Sequence, residues 1–308
     1  MNKVLFGDCR ETLKTIDVKA RMCVTSPPYY GLRDYGGEKN QIGQEDTPEE
    51  FINNLVEVFR SVRDVLTDDG TLWVNIGDSY YNYRPGKGQA LVKQTLSSTE
   101  RDQPQDCPRR GNKLEGLKEK DLIGIPWMLA FALRADGWYL RQDIIWHKPN
   151  PMPESVKDRC TNSHEYLFLL SKNKKYYYDN EAIKEPVKQD WGTRNRDAGK
   201  YHNPGTGLQP HSGLTKSYER KNKRDVWTIT NKPYKGAHFA VFPPDLIEPC
   251  ILAGSERGDI ILDPFMGSGT TAMVAKKHGR AYIGCELHED YASLQTDRID
   301  SIPPQLVL

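Results

Sequence analysis

The sequence has little net charge, no long apolar run and no closely spaced pair of cysteines, and each absence excludes a class of protein. With a net charge of +1, any affinity for nucleic acid must come from a local cluster of basic residues. Without a signal peptide or an apolar run long enough to cross a bilayer, the chain is expected to be cytoplasmic and to bind no membrane. The six cysteines include no Cys-x-x-Cys pair, so we predict neither a metal site nor a disulfide framework.

The first unusual feature that is present is the tetrapeptide Ser26-Pro27-Pro28-Tyr29, which follows the apolar residues 22–24. Two prolines cannot donate hydrogen bonds to a sheet, so a strand must end here and present a rigid polar rim. A planar amine could bond to the Ser26 side chain and a prolyl carbonyl while its ring stacks on Tyr29, as a flipped nucleobase does. The alternative interpretation is a simple turn with a packed tyrosine.

A second stretch, near the other end of the chain, has the pattern of a ligand-binding turn. Apolar residues 260–262 run into this turn and a helix follows it, and the residues concerned are Asp263, Phe265, Gly267, Gly269 and Thr270. Glycines let the backbone approach a ligand closely, but the spacing matches neither the dinucleotide fingerprint nor a phosphate-binding P-loop. The next predicted strand ends in Glu286, where an acid can bind both hydroxyls of a ribose. We therefore predict a ligand that has a ribose and lacks a pyrophosphate.

Together, the two stretches resemble the amino-group DNA methyltransferases that use S-adenosylmethionine. Phe265-x-Gly267-x-Gly269 matches their cofactor motif, and Ser26-Pro27-Pro28-Tyr29 matches their catalytic motif. The catalytic motif comes first, which is the order of the β group of this family. The resemblance covers nearly the whole chain. It implies an α/β fold with a doubly wound, Rossmann-like sheet that contains one reversed strand and has a circularly permuted motif order.

The resemblance also implies a reaction. A methyl group is transferred from S-adenosylmethionine to the N4 amine of a cytosine that is flipped out of a specific site in duplex DNA. In the family, serine before Pro-Pro-Tyr goes mostly with cytosine N4, and methylation of adenine N6 is the main alternative. An RNA or protein-amide methyltransferase and an inactive DNA-binding relative are more distant alternatives. A role in restriction–modification or host protection is expected, with a cognate restriction endonuclease as functional partner and a monomer or homodimer as the assembly.

Site residues carry over from the family motif by motif. The residues expected to hold the target base are Ser26, Pro27, Pro28 and Tyr29. The residues expected to contact S-adenosylmethionine are Asp8, Phe242, Asp263, Phe265, Gly267, Gly269, Thr270 and Glu286. Asp8 ends the first predicted strand, and it could instead, or in addition, cap the helix that follows.

Three parts of the chain are predicted: a catalytic half over 1–171 with a polar loop at 83–120, a target-recognition insertion over 172–235, and a cofactor-binding half over 236–308. The insertion contains fifteen basic and seven acidic residues, interleaved with aromatic ones. Positive charge of this kind supplies affinity for phosphates, although a solvated basic loop is the alternative. The predicted DNA contacts are Arg33, Arg194, Arg196, Arg220, Lys221, Lys223 and Arg224.

Local patterns predict several elements of the core. Thr47-Pro48 opens a helix that ends at Asp69-Gly70, and a buried strand is predicted over 71–76. At the end of this strand Gly77-Asp78 could face the site, although Asp78 is expected rather to cap a helix. Residues 138–148 and 164–172 are expected to form a hairpin that contains the reversed strand. His147 and His164 lack a third ligand at a suitable spacing, which argues against a metal there.

Overall fold

The computed structural model describes residues 2–31, 41–81, 114–187, 219–231 and 242–302. Within them the strands are β1 (Asn2–Phe6), β2 (Ala20–Thr25), β3 (Leu66–Ile76), β4 (Tyr139–His147), β5 (His164–Ser171), β6 (Glu185–Pro186), β7 (Arg220–Lys221), β8 (Val226–Thr228), β9 (Ile260–Asp263) and β10 (Ala281–Glu286). The α-helices are α1 (Cys9–Thr12), α2 (Pro48–Val65), α3 (Ile125–Ala135), α4 (Pro244–Gly254), α5 (Thr270–Lys277) and α6 (Ala292–Asp300).

Eight strands form one sheet in the order β1-β10-β9-β2-β3-β5-β4-β8. Its strands pair in parallel except at β5, which runs antiparallel to both β3 and β4. The β4–β5 hairpin was predicted from the sequence, and both it and the predicted fold class are confirmed. The strand order reverses around β9 and β2, and in such sheets ligands bind at the carboxyl ends of the strands where the order reverses.

Two apolar cores cover the two faces of this sheet. Alternate side chains of a strand point to opposite faces, so Cys23 packs with α2 and α3 while Met22 and Val24 pack with α4 and α5. Burial on both faces explains why β2 is apolar at consecutive positions. Helices on both faces make the sheet doubly wound, as predicted.

Helix ends follow the predicted capping residues. The backbone N–H of Glu50 donates to Thr47 Oγ1 over 3.2 Å, and Pro48 is the first residue of α2. Asp78 Oδ1 accepts from the backbone N–H groups of Gly124 and Ile125 at the start of α3. Both predicted caps are confirmed. The predicted end of α2 at Asp69-Gly70 is wrong, because the helix ends at Val65 and the chain continues directly into β3 at Leu66. None of the helices in the described residues is long and apolar enough to cross a membrane.

The flanks of the predicted insertion pack against the main sheet. Tyr178 stacks on Trp73 with ring centroids 6.4 Å apart, and Ile183 and Trp227 are buried in the same core. β6 and β7 form a separate two-stranded ribbon that leads into residues 188–218, which lie outside the described residues. The division into three parts at 171 and 235 stays a prediction, as does the loop at 83–120, of which only residues 114–120 are described.

Candidate active site

The two sequence motifs meet at the carboxyl edge of the sheet. β2 and β9 are parallel neighbours, with Cys23 paired to Leu262, so the segments that follow both strands leave the sheet side by side. Thr25 Oγ1 donates to Asp263 Oδ1 over 2.6 Å, one residue before Ser26. Residues more than two hundred positions apart in the sequence therefore form one site.

Asp263 joins three elements through its buried carboxylate. Besides Thr25, it accepts hydrogen bonds from Thr271 Oγ1 at 2.5 Å and from the backbone N–H of Phe265 at 3.0 Å. Burial raises the pKa of this carboxyl to about 6, although the hydrogen bonds favour its charged form. In this geometry Asp263 holds the turn in place, and its direct contact with a cofactor stays a prediction.

The glycine turn is shaped for close approach of a ligand. Gly267 and Gly269 have φ angles of 51° and 80°, in the left-handed region that favours glycine. Thr270, at the start of α5, is buried, and its hydroxyl has no hydrogen-bond partner among the described residues. Because a buried polar group without a partner costs free energy, this hydroxyl is suited to bond a ligand.

Glu286 lies beside the same turn at the end of β10. Its carboxylate accepts from the backbone N–H groups of Gly267 at 2.8 Å and His288 at 3.0 Å. Burial raises its pKa to about 7. An ionised carboxylate has about four acceptor positions, so capacity remains for the hydroxyls of a ribose.

The sequence analysis missed a supporting contact from α6. Gln295 is almost fully buried, and its amide donates to the carbonyl of Gly267 over 2.7 Å. The only signal in the sequence was a polar residue in a short helix after Glu286, which is too common a pattern to indicate a role.

Asp8 lies at the same edge of the sheet, two residues after β1. It caps α1 through the backbone N–H of Arg10 at 2.9 Å and also pairs with the Arg10 guanidinium. Burial opposes its ionisation, but the bonds to Arg10 outweigh burial and keep its pKa below the usual value. The predicted cap is confirmed. Its contact with a cofactor stays a prediction, and the side chain faces a polar cavity of about 430 Å³ between α1 and α2.

Two aromatic side chains predicted near the cofactor are half-buried. Phe265, in the turn, packs against the core that contains α2 and α3. Phe242, which precedes α4, packs against the core on the opposite face. Both contacts with a cofactor remain predictions.

The tetrapeptide Ser26-Pro27-Pro28-Tyr29 follows β2, and Tyr29 has close neighbours on two sides. Pro27 is buried, and Ser26, Pro28 and Tyr29 are half-buried. The Tyr29 hydroxyl donates to Glu165 Oε2 over 2.6 Å. A Cβ atom added at Gly77 would lie 2.7 Å from Cε2 of the same ring. Glu165 was not predicted as a site residue, because its proximity depends on how β3 and β5 pair. Gly77 follows β3, the neighbour of β2, and the sequence indicated only that it could face the site.

The predicted DNA contacts divide into three groups. Arg33, Arg194 and Arg196 lie outside the described residues. Arg220 and Lys221 form β7, where Arg220 is exposed and donates to the carbonyl of Lys184. Lys223 and Arg224 pair with Glu185 at 3.7 and 3.3 Å, and Lys223 also lies over the ring of Trp227. The charges of Lys223 and Arg224 are thus already partly balanced by Glu185 within the protein.

The residues with metal-ligand chemistry do not cluster in the part of the chain that is described. There, no group of three or more His, Cys, Asp or Glu side chains could hold a metal ion. His147 Nδ1 instead lies 3.1 Å from Thr228 Oγ1 on β8.

Comparison with known proteins identifies the family. The family model N6_N4_Mtase, described as DNA methylase, matches residues 20–297. The chain belongs to this family. It is 48% identical over 298 residues to the type II methyltransferase M.SmaI of Serratia marcescens, covering 96% of this chain and 90% of that protein. It is 47% identical over 294 residues to M.Cfr9I of Citrobacter freundii, covering 95% and 86%.

Solved structures share the fold of this chain. The PvuII DNA methyltransferase, described as cytosine-N4-specific, has a TM-score of 0.61 and 17% identity, over 96% of this chain and 86% of that one. The M1.HpyAVI–SAM complex has a TM-score of 0.53 and 18% identity, over 97% and 100%. The predicted membership of the amino-group DNA methyltransferases is confirmed, and the predicted cofactor agrees with the bound S-adenosylmethionine of the second structure.

Proposed function

We propose that this protein transfers a methyl group from S-adenosylmethionine to the N4 amine of cytosine in duplex DNA. The observation that carries the proposal is the hydrogen bond from Thr25 to Asp263. It fixes the start of Ser26-Pro27-Pro28-Tyr29 beside the glycine turn, so a base held by one motif lies next to a cofactor held by the other.

The residues around the turn fit this cofactor. S-adenosylmethionine supplies a methyl group on a positively charged sulfur, which leaves readily. Glu286 would accept the ribose hydroxyls with its remaining acceptor positions, and the unpartnered Thr270 hydroxyl would bond the ligand in the turn. Gly267 and Gly269 would let the backbone approach it, and Asp8, Phe242 and Phe265 would line the site as predicted.

The tetrapeptide would act on the target base by orienting its amine. This amine is a weak nucleophile because its lone pair is delocalised into the ring. The Ser26 side chain and the Pro27 carbonyl would accept its N–H groups, which favours tetrahedral nitrogen and directs the lone pair at the methyl carbon. The nitrogen–carbon bond forms as the sulfur–carbon bond breaks, and the nitrogen then loses a proton to solvent. Tyr29 would stack on the flipped base.

No covalent bond between enzyme and base is required by this chemistry. The cysteine nearest in sequence to the catalytic motif is Cys23, which is fully buried within β2, and burial raises the pKa of its thiol. Cys250 lies inside α4, where its thiol donates to the carbonyl of Leu246. Neither thiol is suited to act as a nucleophile.

Cytosine is the proposed base because Ser26 stands first in the tetrapeptide. The structural relative described as cytosine-N4-specific supports this choice. Adenine N6 is the second candidate, since a neutral hydroxyl can accept a hydrogen bond from either amine. We further propose a cytoplasmic role beside a cognate restriction endonuclease, as the type II names of the relatives suggest.

The deciding experiment is methyl transfer from labelled S-adenosylmethionine to unmethylated duplex DNA, followed by nucleoside digestion and mass spectrometry. N4-methylcytosine is the expected product. N6-methyladenine would retain the mechanism and change the base. Cofactor binding without any label in DNA would contradict the proposal, and a parallel reaction with RNA would then identify the substrate class.

A further inference from the structure

Glu165 gathers three side chains at the carboxyl edge of the sheet. Its Oε2 atom accepts the Tyr29 hydroxyl at 2.6 Å and the Asn75 amide at 3.2 Å, and its Oε1 atom pairs with Lys148. Asn75 is itself buried and also donates to the carbonyl of Tyr166. The network thus connects β3, the end of β4 and β5 to the catalytic tetrapeptide.

The ion pair in this network contributes little to the stability of the fold. The Lys148 and Glu165 side chains are only 16% and 14% exposed, so both charges have lost most of their contact with water. A pair buried in this way adds little net stability compared with apolar residues of the same size. Its presence is better explained by the geometry that it imposes on Tyr29.

Glu165 and Gly77 constrain the Tyr29 ring in complementary ways. The hydroxyl lies on the long axis of the ring, so its bond to Glu165 fixes the direction of this axis but allows rotation about it. Gly77 limits that rotation, because its Cα lies so close to the Cε2 edge that an added Cβ would be 2.7 Å away. Gly77 does not have a positive φ, so the glycine is needed here for space.

We propose that Glu165 is a positioning residue that orients the Tyr29 ring for stacking on the flipped target base. This inference rests on the proposed function, in which Tyr29 is the stacking surface. Lys148 and Asn75 act through Glu165 by holding its carboxylate in place. Because the network is attached to β3, β4 and β5, while the cofactor turn follows β9, its loss affects the base and leaves the cofactor site intact.

The test compares Glu165→Gln, Tyr29→Phe and the double variant. Loss of a hydrogen bond to a charged group corresponds to a fall in kcat of about ten- to a hundredfold for each single variant. The KM for S-adenosylmethionine should stay unchanged. The double variant should be no slower than the slower single variant, because both remove the same contact. Losses that multiply, or a matching rise in the cofactor KM, would overturn the proposal.

A fluorescence measurement separates positioning from loss of folding. The target base is first mapped by sequencing the DNA that the wild-type protein has methylated, and 2-aminopurine is then placed beside it in a synthetic duplex. Base flipping raises the fluorescence of this probe, and Glu165→Gln should reduce the rise. Glu248→Gln is the matched control. Glu248 lies on α4, is partly buried, pairs with Lys277 of α5 and makes no contact with Tyr29. It should keep wild-type kcat and fluorescence, and an equal loss in this control would overturn the proposal.

The two proposals fail in different ways. If the wild-type protein labels no DNA, the proposed function is wrong and the positioning role falls with it. If the wild type labels DNA and the Tyr29 and Glu165 variants act independently, only the positioning role is wrong.

Discussion

The backbone N–H of Gly267 donates to the Glu286 carboxylate over 2.8 Å, and this bond connects the glycine turn to the end of the neighbouring strand. The acid therefore has two tasks. It holds the turn in the free protein and, in the proposed complex, it accepts the ribose hydroxyls. Both tasks require the ionised form, which burial disfavours.

Cofactor affinity should depend on pH through Glu286. Its pKa is raised to about 7, so the carboxyl is largely protonated below this pH and must lose its proton to accept the ribose hydroxyls. We expect the affinity for S-adenosylmethionine to fall about tenfold for each pH unit below 7 and to level off above it. Calorimetric titration between pH 5.5 and 8.5 measures this. Glu286→Gln should bind weakly with no such dependence, and an identical pH profile in this variant would assign the titration to another group.

Stability should change with pH through Asp263. Its pKa is raised from 3.8 in the unfolded chain to about 6, so the folded protein binds the proton more tightly. The free energy of unfolding should therefore fall as pH rises from about 4 to 6, with a contribution of about 3 kcal/mol from this group. Urea unfolding at several pH values tests this. In Asp263→Asn the slope over this range should be smaller, because the amide does not titrate.

Gly77→Ala should impair catalysis more than folding. The new methyl group would force the Tyr29 ring away from its position, and we expect kcat to fall about tenfold or more. Stability should fall by about 1–3 kcal/mol, as for other overpacked sites. Gly254→Ala is a suitable control, because its methyl group would lie 2.9 Å from Met22 Sδ in the core. This control should lose similar stability and keep its kcat; equal losses of kcat would argue against a specific effect on Tyr29.

The basic residues near the insertion should differ in their contributions to DNA binding. Arg220 is exposed on β7, so Arg220→Ala should reduce the slope of log affinity against log salt by about one. Lys223→Ala should change the slope less, since Lys223 pairs with Glu185 and lies over Trp227. Filter binding at several salt concentrations measures both slopes. Arg60→Ala is the control, because Arg60 is an exposed arginine of α2 that pairs with the mostly buried Asp136. A slope equally reduced in this control would remove Arg220 from the interface.

The sequence predicts those parts of this fold that depend on local patterns. Strand β10 and helix α2 follow from apolar periodicity and caps, and the tetrapeptide and the glycine turn are recognisable motifs. The features that the sequence does not predict depend on pairing between strands that are distant in the chain. Glu165 looks like an ordinary strand residue until the pairing of β5 with β3 brings it to Tyr29. Lys223 looks free to bind phosphate until Glu185 is found beside it.

The pairing of β2 with β9 also determines when the site can form during folding. Thr25 and Asp263 are 238 residues apart, and contacts of such long range form slowly. A chain shortened to its first 231 residues would keep the whole tetrapeptide but leave the edge of β2 without its partner. That exposed edge would favour association with other copies. A newly made chain therefore brings the tetrapeptide and the glycine turn together only when β9 docks beside β2.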